Sequence, residues 1–185
     1  MLPLFVLETV LFPDCTLDLQ LFEARYIDMV SRCMRQDSTF GVLAVDQASA
    51  NLAHYGCEAK IIDWQQLDNG LLGIRVEGQR VFCVDALDRQ ADGLNLAAVS
   101  WLKREQDAPL SAEHVELALV LEALLLHPEV QKLDLPKKPL SLQFLADRLG
   151  YLLPLPVMQK SLLLGEVDPV VRLETLNNWI ESMQA

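Results

Sequence analysis

Apolar and polar positions take turns at the start of the chain. Leu2, Leu4 and Val6 alternate with their neighbours, and Leu17, Leu19 and Leu21 do so more cleanly, with Asp18 and Gln20 between them. A period of two puts one set of side chains on one face, the pattern of a half-buried strand. Residues 39–46, 59–64, 71–76, 80–87 and 94–101 read as further strands. Asp68-Asn69-Gly70, Glu77-Gly78 and Ala91-Asp92-Gly93 are read as the turns between several of them. Short strands at this spacing predict a closed or nearly closed barrel, because closure removes edges that would pair with other chains. One helix interrupts them. Tyr26, Met29, Val30, Cys33 and Met34 share a face at helical spacing, while Arg25, Asp28 and Arg32 lie opposite, at spacings suited to ion pairs. Glu23 projects to the apolar side, and its carboxylate is expected to be held by the N–H groups of the first turn.

After a polar linker at 103–109 the periodicity becomes helical. Residues 115–126 are apolar nearly all round and predict a central buried helix. Pro136-Lys137-Lys138-Pro139 breaks the chain, and a helix is expected over 142–149. Pro154 and Pro156 punctuate before a helix at 157–164, with Gly165 as its stop. Asp168-Pro169 starts the last helix as N-cap acceptor and first helical position, with Leu173, Leu176, Ile180 and Met183 on its apolar face. The expected fold class is α+β: a β-barrel domain over residues 1–104 with one inserted helix, then a helical subdomain over 110–185.

Several stretches together resemble the LON N-terminal domain, the substrate-binding module of ATP-dependent Lon proteases, which also occurs free-standing. Extended segments broken by Pro3 and Pro13 run into Phe22-Glu23-Ala24-Arg25-Tyr26 at the mouth of the helix, and Phe40-Gly41-Val42 follows it. Gly56, Ala59 and Ile61, then Leu71-Leu72-Gly73-Ile74 and Gly78-Gln79-Arg80-Val81-Phe82, resemble the later strands. Leu152-Leu153-Pro154-Leu155-Pro156, Lys160, Leu163-Leu164 and Asp168 through Arg172-Leu173 resemble the helical part of free-standing bacterial members. There are two departures. Asp14 follows Pro13 where the family has a proline-and-glycine turn, and Val81 intervenes between Arg80 and an aromatic. The resemblance implies a PUA-like pseudo-barrel that binds polypeptide substrates. It implies no proteolysis, because the ATPase and peptidase of Lon lie in other domains.

Charge narrows the partners. The net charge is −11, with 9 basic and 15 acidic residues up to Glu105 and 6 and 11 beyond it. Nucleic-acid affinity arises from Lys and Arg neutralising phosphates, so nucleic acid and anionic membrane surfaces are both disfavoured. No apolar run reaches the roughly 20 residues that cross a bilayer, and no basic region precedes the first apolar stretch. The chain is therefore expected to be soluble and cytoplasmic.

Motifs for chemistry are few. There is no phosphate-binding loop, no Gly-x-Ser-x-Gly elbow and no His-Glu-x-x-His helix. Cys15, Cys33, Cys57 and Cys83 form no C-x-x-C, and they are expected as buried thiols. His54-x-x-Cys57 has the spacing of a metal pair but lacks the second pair that structural zinc needs, so no metal and no cofactor are assigned. A hydrolase using Cys57 and His54 is disfavoured, since it needs the two side chains to meet beside an orienting third group. His127 is read as a cation at a helix C-terminus, and Asp85 and Asp88 as solvated residues.

The candidate substrate-binding residues are Glu23, Arg25, Tyr26 and Trp64. For Glu23 and Tyr26 a packing role is favoured, Arg25 is the better surface contact, and Trp64, like Trp101, sits at a strand end where it could line a groove or pack at the rim. The leading function is a non-enzymatic module that binds protein or peptide segments, including unfolded or damaged ones. The alternative is a PUA-like RNA-binding protein, and homo-oligomerisation is left open.

Overall fold

The computed structural model describes residues 1–135 and 140–184, with side chains through 182. The break expected at 136–139 and the side chain of Met183 lie outside the described residues. Six strands are formed: β1 (Leu2–Leu7), β2 (Thr16–Leu21), β3 (Phe40–Val45), β4 (Leu52–Gln66), β5 (Leu72–Arg89) and β6 (Asn95–Trp101). Helix α1 (Ala24–Gln36) lies between β2 and β3. β1 pairs in parallel with β3 and antiparallel with β6, and β5 pairs antiparallel with both β4 and β6. The circuit β5-β4-β3-β1-β6 therefore closes on itself, and β2 hangs from the first half of β5. This is the expected pseudo-barrel.

One expected turn is overturned. The strands expected at 71–76 and 80–87 are one strand, β5, which begins at Leu72, and Gly78 sits inside it. Up to Glu77 this strand pairs with β2; from Phe82 onward it pairs with β6. At the change of partner the segment before β2 crosses it tightly: Asp14 N donates to Gly78 O at 2.8 Å, and Gly78 N donates to Cys15 O at 2.9 Å. A Cβ on Gly78 would stand 2.1 Å from the carbonyl oxygen of Phe12. The glycine serves close approach, not a turn. Asp14 itself takes a left-handed φ of 58°, a conformation that glycine adopts most easily and Asp tolerates.

The chain then builds helices against the barrel: α2 (Val115–Leu125), α3 (Pro128–Gln131), α4 (Leu142–Leu152), α5 (Val157–Gly165) and α6 (Pro169–Gln184). As expected, α6 is capped by Asp168, whose Oδ1 accepts from Val170 N at 2.8 Å. The linker lies along α4. Leu142 N donates to Ala108 O at 2.9 Å, and Gln143 Nε2 donates to Glu105 O at 3.1 Å. Helix α4 meets the barrel through Gly150, where a Cβ would fall 2.9 Å from the Phe12 ring. One hydrophobic cluster runs from Leu4 on β1 through Phe12, Phe40 and Phe82 to Leu149 and Leu176 on the helices.

The helical layer also buries charge. Asp147 on α4 accepts from Arg172 Nη1 at 2.5 Å and from Arg104 Nη1 at 2.6 Å, and Gln143 Oε1 bonds both arginines. Beside it, the fully buried Arg148 sends Nη1 to Cys15 Sγ at 3.1 Å and Nη2 to Asp14 O at 2.8 Å. Burial pushes the Cys15 thiol up to about 12 despite the guanidinium, so Arg148 faces a neutral thiol. The linker, α4, α6 and the turn before β2 are riveted by these bonds.

Candidate functional site

The expectation that fails most instructively is α2. It forms over nearly the span expected, behind a capping box in which Ser111 and His114 bond reciprocally. It is not a buried central helix. Leu117 and Leu121 rest in the core, while Val115, Leu119, Leu125 and the following Leu126 are exposed, Leu119 at 58%. Positions 115, 118, 119 and 122 follow at i, i+3, i+4 and i+7, so the exposed side is a continuous face turned away from the core face.

That face forms one wall of a groove of about 760 Å³. Val130 and Leu135 line it on and after α3; Leu140 and Phe144 line it before and on α4. The volume lies within the range of about 300–1,000 Å³ usual for ligand pockets. Two carboxylates, Glu122 and Asp134, stand in the lining. Among the described residues the one cation of the lining is Arg148, whose guanidinium is turned inward to Cys15 and Asp14 and lies 5.0 Å from the centre of the Phe144 ring. His127 Nδ1 accepts from Glu129 N at 3.3 Å, capping α3.

The residues singled out from sequence fall elsewhere, in two places. Glu23, Arg25 and Tyr26 come together at the start of α1. Glu23 makes no cap to the helix N–H groups; it pairs with Arg25 at 2.6 Å. Arg25 Nη1 donates to Gly93 O at 2.8 Å, and its guanidinium lies 4.6 Å from the centre of the Tyr26 ring. Tyr26 is 6% exposed and stacks on Phe5 at 3.9 Å. Trp64, 59% exposed, lies at the far end of α1, between hollows of about 480 and 390 Å³ that it shares with Met34 and Ile62 on one side and Asp18 and Arg75 on the other. Trp101 packs at the barrel rim, edge-on to Phe82 at 6.0 Å, under the Arg80 guanidinium at 3.9 Å.

His54 and Cys57 do not meet. They lie on β4 at a spacing that sends them to opposite faces, His54 exposed and Cys57 fully buried. Burial pushes the Cys57 thiol well up, away from the thiolate a nucleophile needs. Among the described residues no cluster of His, Cys, Asp or Glu could hold a metal ion, and no helix is long and apolar enough to cross a membrane. Asp85 and Asp88 are exposed as expected.

The family model of the ATP-dependent protease La (LON) substrate-binding domain matches residues 1–182. A Lon N-terminal domain protein from Xanthomonas campestris is similar over 96% of this chain and 97% of its own, at 38% identity and a TM-score of 0.79. The N-terminal domain of Mycobacterium avium complex Lon protease aligns over 96% of each chain with a TM-score of 0.64 and 20% identity, a likeness of fold. Cereblon from Gallus gallus is 33% identical over 110 residues, which is 58% of this chain and 24% of that protein. Cereblon from Xenopus tropicalis is 32% identical over 98 residues, or 51% and 22%. The chain spans about a quarter of the length of these curated relatives.

Proposed function

Because the chain belongs to the LON substrate-binding domain family, we propose that it is a non-enzymatic module that binds polypeptide segments exposed by unfolding or damage. The observation carrying this reading is the apolar face of α2. Large contiguous apolar surfaces on a soluble fold mark binding sites, because leaving them in water costs about 25 cal/mol for each Å² that a partner could cover. Folded proteins bury such side chains; unfolded segments present them. In this reading residues 1–104 are the scaffold and residues 110–185 carry the binding face. Trp64 is a separate, accessory contact, while Glu23, Arg25 and Tyr26 act through the packing of α1.

Fluorescence anisotropy with a labelled, permanently unfolded polypeptide tests this. Saturable binding is expected, with folded protein of the same sequence failing to compete. Leu119→Asp should weaken binding at least about tenfold and leave the melting temperature unchanged, since exposed substitutions cost at most about 0.5 kcal/mol. Absence of binding, or equal competition by the folded form, would overturn the reading. RNA retention on filters at low salt is expected to be nil, given the acidic surface.

A further inference from the structure

Resting on that reading, we infer that the groove takes its polypeptide as an amphipathic helix, with an apolar stripe on the floor and lysine or arginine at its border. The helical form follows from what the walls lack. The lining comes from α2, α3, α4 and the segments flanking them, and no strand of the sheet contributes to it among the described residues. An extended segment laid there would find no row of main-chain partners, and buried N–H and C=O groups left unpaired are costly. A helix satisfies its own main chain and offers only side chains, which is what an apolar groove between helices accepts.

The basic border follows from charge. Glu122 sits midway along the exposed face of α2, flanked by Leu119 and Leu125, and Asp134 stands beyond α3. Neither takes part in an ion pair among the described residues, whereas neighbouring Glu129 is paired with Lys132 at 2.6 Å. Among the described residues the one cation of the lining is committed inward. The whole chain carries −11, which would steer a basic segment toward it and repel an acidic one. The same field disfavours a second copy of this chain as occupant. A two-fold contact through this face would set Glu122 near its own symmetry mate.

Three peptides with one shared leucine stripe separate these points: one bordered by lysine, one bordered by glutamate, and one bordered by lysine with a central proline. Titrated against the full chain at low salt, the first is expected to bind about tenfold more tightly than the second, with the gap closing as salt is raised. It should gain helical circular dichroism on binding, and the proline peptide should bind at least about tenfold more weakly. The double substitution Glu122→Lys with Asp134→Lys should reverse the charge preference at unchanged melting temperature. Equal affinity for the lysine and glutamate peptides, or for the proline peptide, would overturn this inference while leaving polypeptide binding intact. Failure of all three peptides and of the unfolded polypeptide would overturn both. Dimerisation abolished by Leu119→Asp would identify a second copy as the occupant and overturn it as well.

Discussion

The barrel and the helical layer treat their side chains in opposite ways. In the barrel the large buried side chains are Phe12, Phe40 and Phe82, and the apolar face of α1 buries Tyr26, Met29, Val30 and Cys33. In the helical layer two of the largest fully buried side chains are Arg148 and Arg172, while Leu119, Leu126 and Leu140 stand in solvent. The difference teaches how an apolar surface can persist. Ordinarily such residues collapse inward, because burial is what drives folding. Here Asp147, Gln143 and their arginines fix α4 and α6 by directional bonds, and the apolar side of α2 remains available for a partner.

The contrast is broken most severely at Asp147. Asp147→Asn removes the shared charge between Arg104 and the buried Arg172, and removing one partner of a buried pair costs about 3–5 kcal/mol. A fall in melting temperature on the order of 10 °C is expected; a fall below about 2 °C would mean that packing alone holds the layer. Met29→Ala, at a fully buried position on α1, should cost about 2–5 kcal/mol through the cavity it leaves, with affinity for unfolded polypeptide unchanged below the transition.

A smaller, pH-dependent effect belongs to Glu58 on β4. Burial works to raise its carboxyl, but the Arg80 guanidinium at 2.7 Å and the Thr39 hydroxyl at 2.7 Å outweigh burial and hold it below the usual carboxylate range. A group depressed in the folded state stabilises above its unfolded value and loses that contribution as pH falls through the folded one. Wild-type protein should therefore exceed Glu58→Gln in stability by about 1 kcal/mol at pH 7, with the gap shrinking below about pH 4. Denaturant titrations at the two pH values check it. The smallest stability change is expected at Leu119→Ala, within about 0.5 kcal/mol, although that substitution should cost several-fold in affinity.

Much of the fold was legible in the sequence. Alternation at Leu17, Leu19 and Leu21 marked β2, the stripe from Tyr26 to Cys33 marked α1, and Asp168-Pro169 marked the start of α6, because each is a local rule expressed locally. Gly78 was misread as a turn because glycine next to a charged residue looks the same whether it supplies a turn or lets another chain segment pass close by. The groove was not legible. An all-apolar helix at 115–126 is compatible with full burial or with an exposed binding face, and only the placement of α3 and α4 decides between them. His127 lies just past the end of α2, as its sequence position indicates, but its capping bond from Glu129 N was not visible there. The arginine network was missed for a similar reason: Arg104, Asp147 and Arg172 are far apart in sequence, and no spacing rule links them.

Amide NMR mapping on the uniformly labelled chain tests the central claim most directly, by adding unlabelled, permanently unfolded polypeptide and following every backbone resonance. Shifts and broadening are expected to concentrate on residues 110–135 and 140–148, the walls of the groove, with the barrel strands unperturbed. Perturbations centred instead on the start of α1 or on the hollows beside Trp64, with α2 silent, would contradict it.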